Sequence, residues 1–264
     1  MGVKMLNKLI AAGFGLLLLA TTGSANATVF FDQDVTNEVI FGSGNANGSF
    51  TVDRQNGLEL GLRAKLRFDE NNLPQNVFNS NGDGTYSFPT GTPWPAGGFG
   101  PATPVWNFEW SINSNADGSG GVLSSFLYSI QIDFDPGAGT NFLTFDPINA
   151  PFFDHSIGDN STPNGGGTEA ADAAGYAALI ASNNLAQNSW NIEFFNIGAF
   201  DIFDPTVPGI YTIALTAFDV QGLALASVSI DIIVAAVPEP PALALMLLGV
   251  VSLLGLAWRQ RKAL

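Results

Sequence analysis

Two short stretches place oxygen donors where a cation would need them. Asn79-Ser80-Asn81-Gly82-Asp83-Gly84 and Asn113-Ser114-Asn115-Ala116-Asp117-Gly118 carry Asn or Asp at positions 1, 3 and 5 and Gly at 6, the opening half of a calcium loop. The closing half is missing, because position 12 falls on Thr90 and Ser124, where a bidentate glutamate is required. Both stretches read first as Asn-Gly and Asp-Gly turns between strands. Asn79, Asn81, Asp83, Asn113, Asn115 and Asp117 are therefore weak calcium candidates, and calcium is the only cofactor the chain suggests. Asp133, Asp135, Asp146, Asp154 and Asp159 could also converge on a cation, although "FDPG" and "FDPI" are equally good turn sequences.

Covalent catalysis finds little material. The chain has no cysteine and a single histidine, His155, which excludes thiol nucleophiles and the usual zinc sets. His155 lies between Asp154 and Ser156, but adjacent residues on a strand point to opposite faces, so the neighbourhood does not make a triad. It reads as a loop histidine without a catalytic role. Paired carboxylates alone suffice for glycoside hydrolysis, yet no pair among the acids is marked. The chain is expected not to be an enzyme, with no catalytic residue assigned.

The basic residues are fewer and better placed. Between residues 28 and 237 there are four, against twenty-two acids, so nucleic acid is a poor partner. Three of them, Arg63, Lys65 and Arg67, alternate along one strand about 6.8 Å apart. On a solvent face they would pair with acids such as Glu109 or Asp133 on neighbouring strands, or contact an acidic polysaccharide.

The elements that carry these residues are strands. In "GLELGLRAKLRFD", Leu58, Leu60, Leu62, Ala64, Leu66 and Phe68 alternate with polar residues, which predicts one core face and one wet face. "VWNFEWSI" and "SFLYSIQIDF" repeat the pattern, and "EVIFG", "GSFTVD", "TYSF", "NFLTF" and "WNIEFF" suggest further strands between Gly, Asn, Asp and Pro clusters. "TEAADAAGYAALIASNN" departs from it. Thr168 is a plausible N-cap, and the segment predicts a helix near 169–183, inserted between strands after a Gly- and Pro-rich stretch. The expected fold is mainly β, an antiparallel β-sandwich of immunoglobulin-like or jelly-roll type with one inserted helix. "GIYTIALTAFD", the turn "VQG" and "LALASVSIDIIV" resemble the closing hairpin of bacterial immunoglobulin-like domains, over residues 208–234. That resemblance implies a fold class and no activity.

The two ends are addresses. Lys4 and Lys8 precede an apolar run, Leu9 to Ala20, that makes roughly 18 Å of helix, too short for a hydrocarbon core of about 30 Å. Ala25-Asn26-Ala27 supplies an A-x-A cleavage site, so residues 1–27 read as a signal peptide with Thr28 as the mature N-terminus. Export machinery and signal peptidase follow as partners. At the other end, residues 242–258 form an uncharged run of about 25 Å, followed by Arg259, Arg261 and Lys262, which the positive-inside bias keeps in the cytoplasm.

Pro238-Glu239-Pro240, the span and the "RQRK" tip together resemble the PEP-CTERM sorting tail of exported bacterial proteins, over residues 238–264. That resemblance implies recognition by an exosortase, cutting near Pro-Glu-Pro, and release from a transient inner-membrane anchor toward the cell surface or extracellular polysaccharide. The domain organisation is then a signal peptide (1–27), an exported domain (28–237) and a sorting tail (238–264). A structural or adhesive role at the cell surface or in the extracellular matrix is the first reading. A calcium-dependent carbohydrate-binding module and a carboxylate-dependent glycoside hydrolase are the alternatives.

Overall fold

The computed structural model describes residues 28–42, 45–68, 71, 73–92, 102–150, 152–200 and 202–236. The residues read as a signal-peptide cleavage site, Ala25 and Ala27, those read as a sorting signal, Pro238, Glu239, Pro240, Arg259, Arg261 and Lys262, and the apolar run 242–258 lie outside them. Thr28 is the first residue described and is exposed. No helix among the described residues is long and apolar enough to cross a membrane.

The described strands are β1 (Val29–Gln33), β2 (Phe50–Gln55), β3 (Leu58–Phe68), β4 (Pro74–Val77), β5 (Thr85–Pro89), β6 (Trp106–Asn113), β7 (Leu127–Asp133), β8 (Phe142–Phe145), β9 (Ser156–Gly158), β10 (Leu185–Trp190), β11 (Gly209–Phe218) and β12 (Ala224–Ala235). They form two sheets. The first runs β1-β2-β3-β6-β10-β9, with β4 paired to the far end of β3; the second runs β5-β12-β11-β7-β8. Every pairing is antiparallel except β5 with β12, which is parallel. Asn56 and Gly57, at φ +52° and +80°, make the tight β2–β3 turn that suits the twist of a hairpin.

The inner faces meet as the alternation requires. Leu58, Leu60, Leu62 and Ala64 of β3 and Trp106, Phe108, Trp110 and Ile112 of β6 join one buried cluster with Tyr211, Ile213 and Leu215 of β11 and Val228, Ile230 and Ile232 of β12. Each large side chain withdrawn there contributes about 1.5–3 kcal/mol relative to exposure, which is the cohesion a cysteine-free domain relies on. In β11 and β12 the residues between these are partly or fully exposed, giving one dry and one wet face.

The first sheet departs from that pattern. All eight residues of β6 are buried, and β3 is buried on both faces from Leu58 to Lys65. Its outer face is covered by the described parts of the β1–β2 connection (34–42 and 45–49), whose Val35 and Ile40 form a small apolar cluster with Phe50 and Val52. The wet face expected for Arg63 and Lys65 is thus an interior, because an irregular segment, not water, lies over it.

Three element assignments also change. The helix α1 is shorter than predicted, Ala173–Ser182, and is capped by Asp172, whose carboxylate accepts from the Gly175 amide, and not by Thr168. "EVIFG" is not a strand: Asn37, Glu38 and Val39 take φ values of +59°, +70° and +62°, and the segment belongs to the covering connection. "WNIEFF" divides, with Trp190 closing β10 and Ile192–Phe195 forming a 3-10 turn capped by Asn191.

Candidate functional site

The outer face of β3, β6 and β10 carries a row of buried polar side chains. Register sets Glu59 opposite Asn113, Gly61 opposite Ser111, Arg63 opposite Glu109 and Lys65 opposite Asn107, with Gln187 and Ser189 of β10 completing the row beside Ser111 and Glu109. A non-regular segment has backbone donors and acceptors that must be satisfied when buried. This row satisfies them. The Thr36 amide donates to Glu59 Oε1 at 2.7 Å, and the Phe41 amide donates to Gln187 Oε1 at 3.2 Å. Gln187 Nε2 donates to the Glu38 carbonyl at 2.8 Å, and Arg63 Nη1 donates to the carbonyls of Ala46 at 2.9 Å and Gly48 at 2.6 Å. The connection is further tied to the loop after β9, where Val39 exchanges hydrogen bonds with Thr162 and Gly165.

Arg63 is the centre of this clamp. Its guanidinium is sandwiched between the rings of Phe50 and Phe78, 4.2 and 4.1 Å from their centroids, while Nε donates to Glu109 Oε2 at 2.6 Å. Lys65 Nζ sits 2.7 Å from the other carboxylate oxygen, Oε1, and donates to Asn45 Oδ1 at 3.0 Å. Burial pushes the Glu109 carboxyl up, but the charges of Arg63 and Lys65 outweigh it and hold the group below the ordinary carboxylate range. Arg63 and Glu109 are 0% and 1% exposed and Lys65 is 8% exposed, so these side chains offer no face to an acidic polysaccharide. Arg67 is half-buried in the field of Glu193 and Glu109. Of the two acids expected to pair with the stripe, Glu109 does so. Asp133 lies in the second sheet, where Oδ1 accepts the amides of Asp135 and Asn141.

The calcium candidates separate into two kinds. Asp83 accepts the Thr85 amide and hydroxyl, Asp117 does the same for Ser119, and in each case the hydroxyl holds the carboxyl below its ordinary range. Asn79 Nδ2 donates to the Ser87 carbonyl, Asn81 donates to Thr85 and Ser87, and Asn115 accepts the Gly120 amide. These are turn contacts. Asn113 is instead fully buried and acts as a hub, its Oδ1 accepting from Asn184 and its Nδ2 donating to Asn160 and Thr36. Among the described residues, no three Asp, Glu or His side chains gather to hold a metal ion.

His155 is the second unusual group. It is 0% exposed and ringed by Trp110, Phe152, Tyr176 and Trp190 at 4.8 to 5.9 Å. Nε2 lies 2.7 Å from the Pro147 carbonyl and must donate, whereas Nδ1 accepts from Asn188 Nδ2 at 3.0 Å. Asn188 is fixed in that orientation because its oxygen accepts the Ser189 amide. Both ring nitrogens are occupied, and the side chain bridges β10 and the loop before β9. Asp154 lies 3.6 Å from Nδ1, beyond hydrogen-bond distance, so the Asp-His contact of a catalytic triad is not assembled here.

Sequence reasoning missed Asn45, Gln187 and Asn184, all of which sit in segments without apolar alternation. The only signal for Gln187 was its place between Leu185 and Ser189, which pairing with β6 makes meaningful.

The comparisons bear on the chain's end. Residues 236–262 match the PEP-CTERM protein-sorting motif. The chain carries a PEP-CTERM sorting tail. The motif marks an exported protein processed by an exosortase and membrane-associated during sorting. No curated protein and no solved structure matches the chain. The PEP-CTERM motif begins one residue after β12 ends, with no linker between them. β12 is bonded on both sides, by β11 and β5, and the Thr90 amide closes on the Ala235 carbonyl at 2.9 Å, so the PEP-CTERM tail leaves the domain from a central strand.

Proposed function

We propose that the domain is a structural or adhesive component of the cell surface or extracellular matrix, exported through its signal peptide, held briefly in the inner membrane and freed by exosortase processing. The observation that carries this reading is the sorting motif at residues 236–262, joined directly to the last strand. The internal use of the polar groups supports it: Arg63 holds the carbonyls of Ala46 and Gly48, and Glu109 is taken up by Arg63 and Lys65. In this reading the domain works without a cofactor and catalyses no hydrolysis, and its partner outside the cell is extracellular polysaccharide.

Fractionation of cells that have an exosortase tests the proposal. The domain is expected in the polysaccharide-containing extracellular fraction, resisting a buffer wash and leaving with the polymer when the polymer is digested. Recovery as free protein in the medium, or release of reducing sugar from that polymer by the purified protein, would contradict it.

A further inference from the structure

We propose that Lys65 and Asn45 join through an intramolecular amide bond, with Glu109 as the proton carrier. Three groups with the right chemistry meet under the β1–β2 connection. Lys65 supplies an amine, Asn45 a carboxamide whose oxygen already accepts from Nζ at 3.0 Å, and Glu109 a carboxylate oxygen 2.7 Å from the same Nζ. Oε1 makes no well-directed hydrogen bond and keeps a lone pair for a proton. This is the arrangement of a nucleophile, its base and its electrophile.

The surroundings hold that arrangement. Arg63 grips the carbonyls of Ala46 and Gly48, just beyond Asn45, and Asn45 Nδ2 donates to the Phe41 carbonyl, which fixes the plane of the carboxamide. The Asn164 side chain donates to the Asn45 carbonyl. Lys65 is 8% exposed, with the Phe41 ring 5.9 Å from Nζ, so little water competes for the amine. Reactants fixed in contact gain the entropic advantage of an intramolecular reaction.

Charge gives the direction. Two cations, Arg63 and Lys65, share the single carboxylate of Glu109, and of the two only an ammonium can give up its proton. Glu109 Oε1 takes a proton from Nζ, an uphill transfer because Arg63 and Lys65 hold that carboxyl below its ordinary range, and the freed lone pair attacks Asn45 Cγ. The Nζ–Cγ bond forms, protons pass through Glu109 to Nδ2, and the Cγ–Nδ2 bond breaks. Lysine ammonium plus carboxamide become a secondary amide plus ammonium ion, and Glu109 ends as the carboxylate it began as. The departing ammonium removes the unmatched charge, and no oxidant or other co-reactant is needed. The product would tie the covering connection to β3 covalently, a staple in a domain without cysteine.

Intact mass of the extracellular protein recovered from its own cells tests this. The expected mass is about 17 Da, one ammonia, below that of the sequence between its measured termini. Peptide mapping should find the Asn45 and Lys65 peptides joined. Lys65→Arg and Asn45→Ala should each return to the full sequence mass, and Glu109→Gln should leave most of the protein unlinked. A wild-type mass equal to the sequence, with the two peptides separate, would overturn the bond. A deficit that persists in Lys65→Arg would also overturn it, placing the loss at a succinimide, for example at Asn47-Gly48. If Glu109→Gln does not fold, the wild-type map and the other two variants still decide the bond; if it folds and links completely, the role given to Glu109 is wrong.

Discussion

Arg63→Met is expected to lower the stability of the folded domain by about 3–5 kcal/mol in denaturant unfolding, the range for removing one partner of a buried ion pair. Methionine keeps much of the volume between Phe50 and Phe78, so the loss is not mainly a cavity. It leaves Glu109 with Lys65 alone, and it orphans the Ala46 and Gly48 carbonyls that Nη1 satisfies. Adding Glu109→Leu to Arg63→Met should recover part of the loss, since an apolar pair avoids the unpaired charge but cannot bond those carbonyls. A single-variant cost under about 1 kcal/mol, the level of a surface pair, would mean that the clamp contributes little.

The same cluster sets a pH dependence. Glu109 has its carboxyl held below the ordinary range in the folded state, so the folded state binds fewer protons there than the unfolded one. Its contribution is fully present above the unfolded value of about 4.3 and is lost as pH falls through the lower folded value. The difference between wild type and the double variant should therefore hold constant from neutral pH to about pH 5 and shrink in more acidic buffer.

Glu239→Ala is expected to have the largest effect on the protein's fate, moving it from the extracellular fraction to a full-length membrane species. The charged residue between two prolines resists entry into lipid, and the prolines keep the segment from continuing a helix. Mass spectrometry of wild-type extracellular material should find the domain ending near Val237, close to where β12 stops. Wild-type protein found only as a full-length membrane species, in cells that possess an exosortase, would show that the tail is a plain anchor.

The fold was legible where alternation meets water. β11 and β12 have one apolar and one exposed face, and their pairing follows directly from "GIYTIALTAFD" and "LALASVSIDIIV". The same reading of β3 and β6 identified which residues share a face but not what lies over it. A polar face can be solvated by water or by the backbone of an irregular segment, and period two is identical in both cases. Residues 34–49 contain no periodic pattern that would announce them as a cover, and the three left-handed residues at 37–39 include Val39, a type that disfavours that conformation. "LAQNSW" was missed as a strand because its inward residues, Ala186, Asn188 and Trp190, lack apolar contrast with their neighbours. His155 was read as a loop residue and not as a buried one, because its enclosing rings come from Trp110, Phe152, Tyr176 and Trp190, mostly distant in sequence. The sorting tail was legible outright, since an address must be readable without a fold.

The central claim is that the polar face of the first sheet is an internal clamp on the β1–β2 connection, and amide hydrogen exchange in the wild-type protein tests it most directly. The Thr36 and Phe41 amides, which donate to Glu59 and Gln187, should exchange slowly, within the range of the β3 amides beneath them. Exchange of both at the rate of an unstructured peptide, while β3 stays protected, would show that the connection lifts freely from the sheet and would contradict the account.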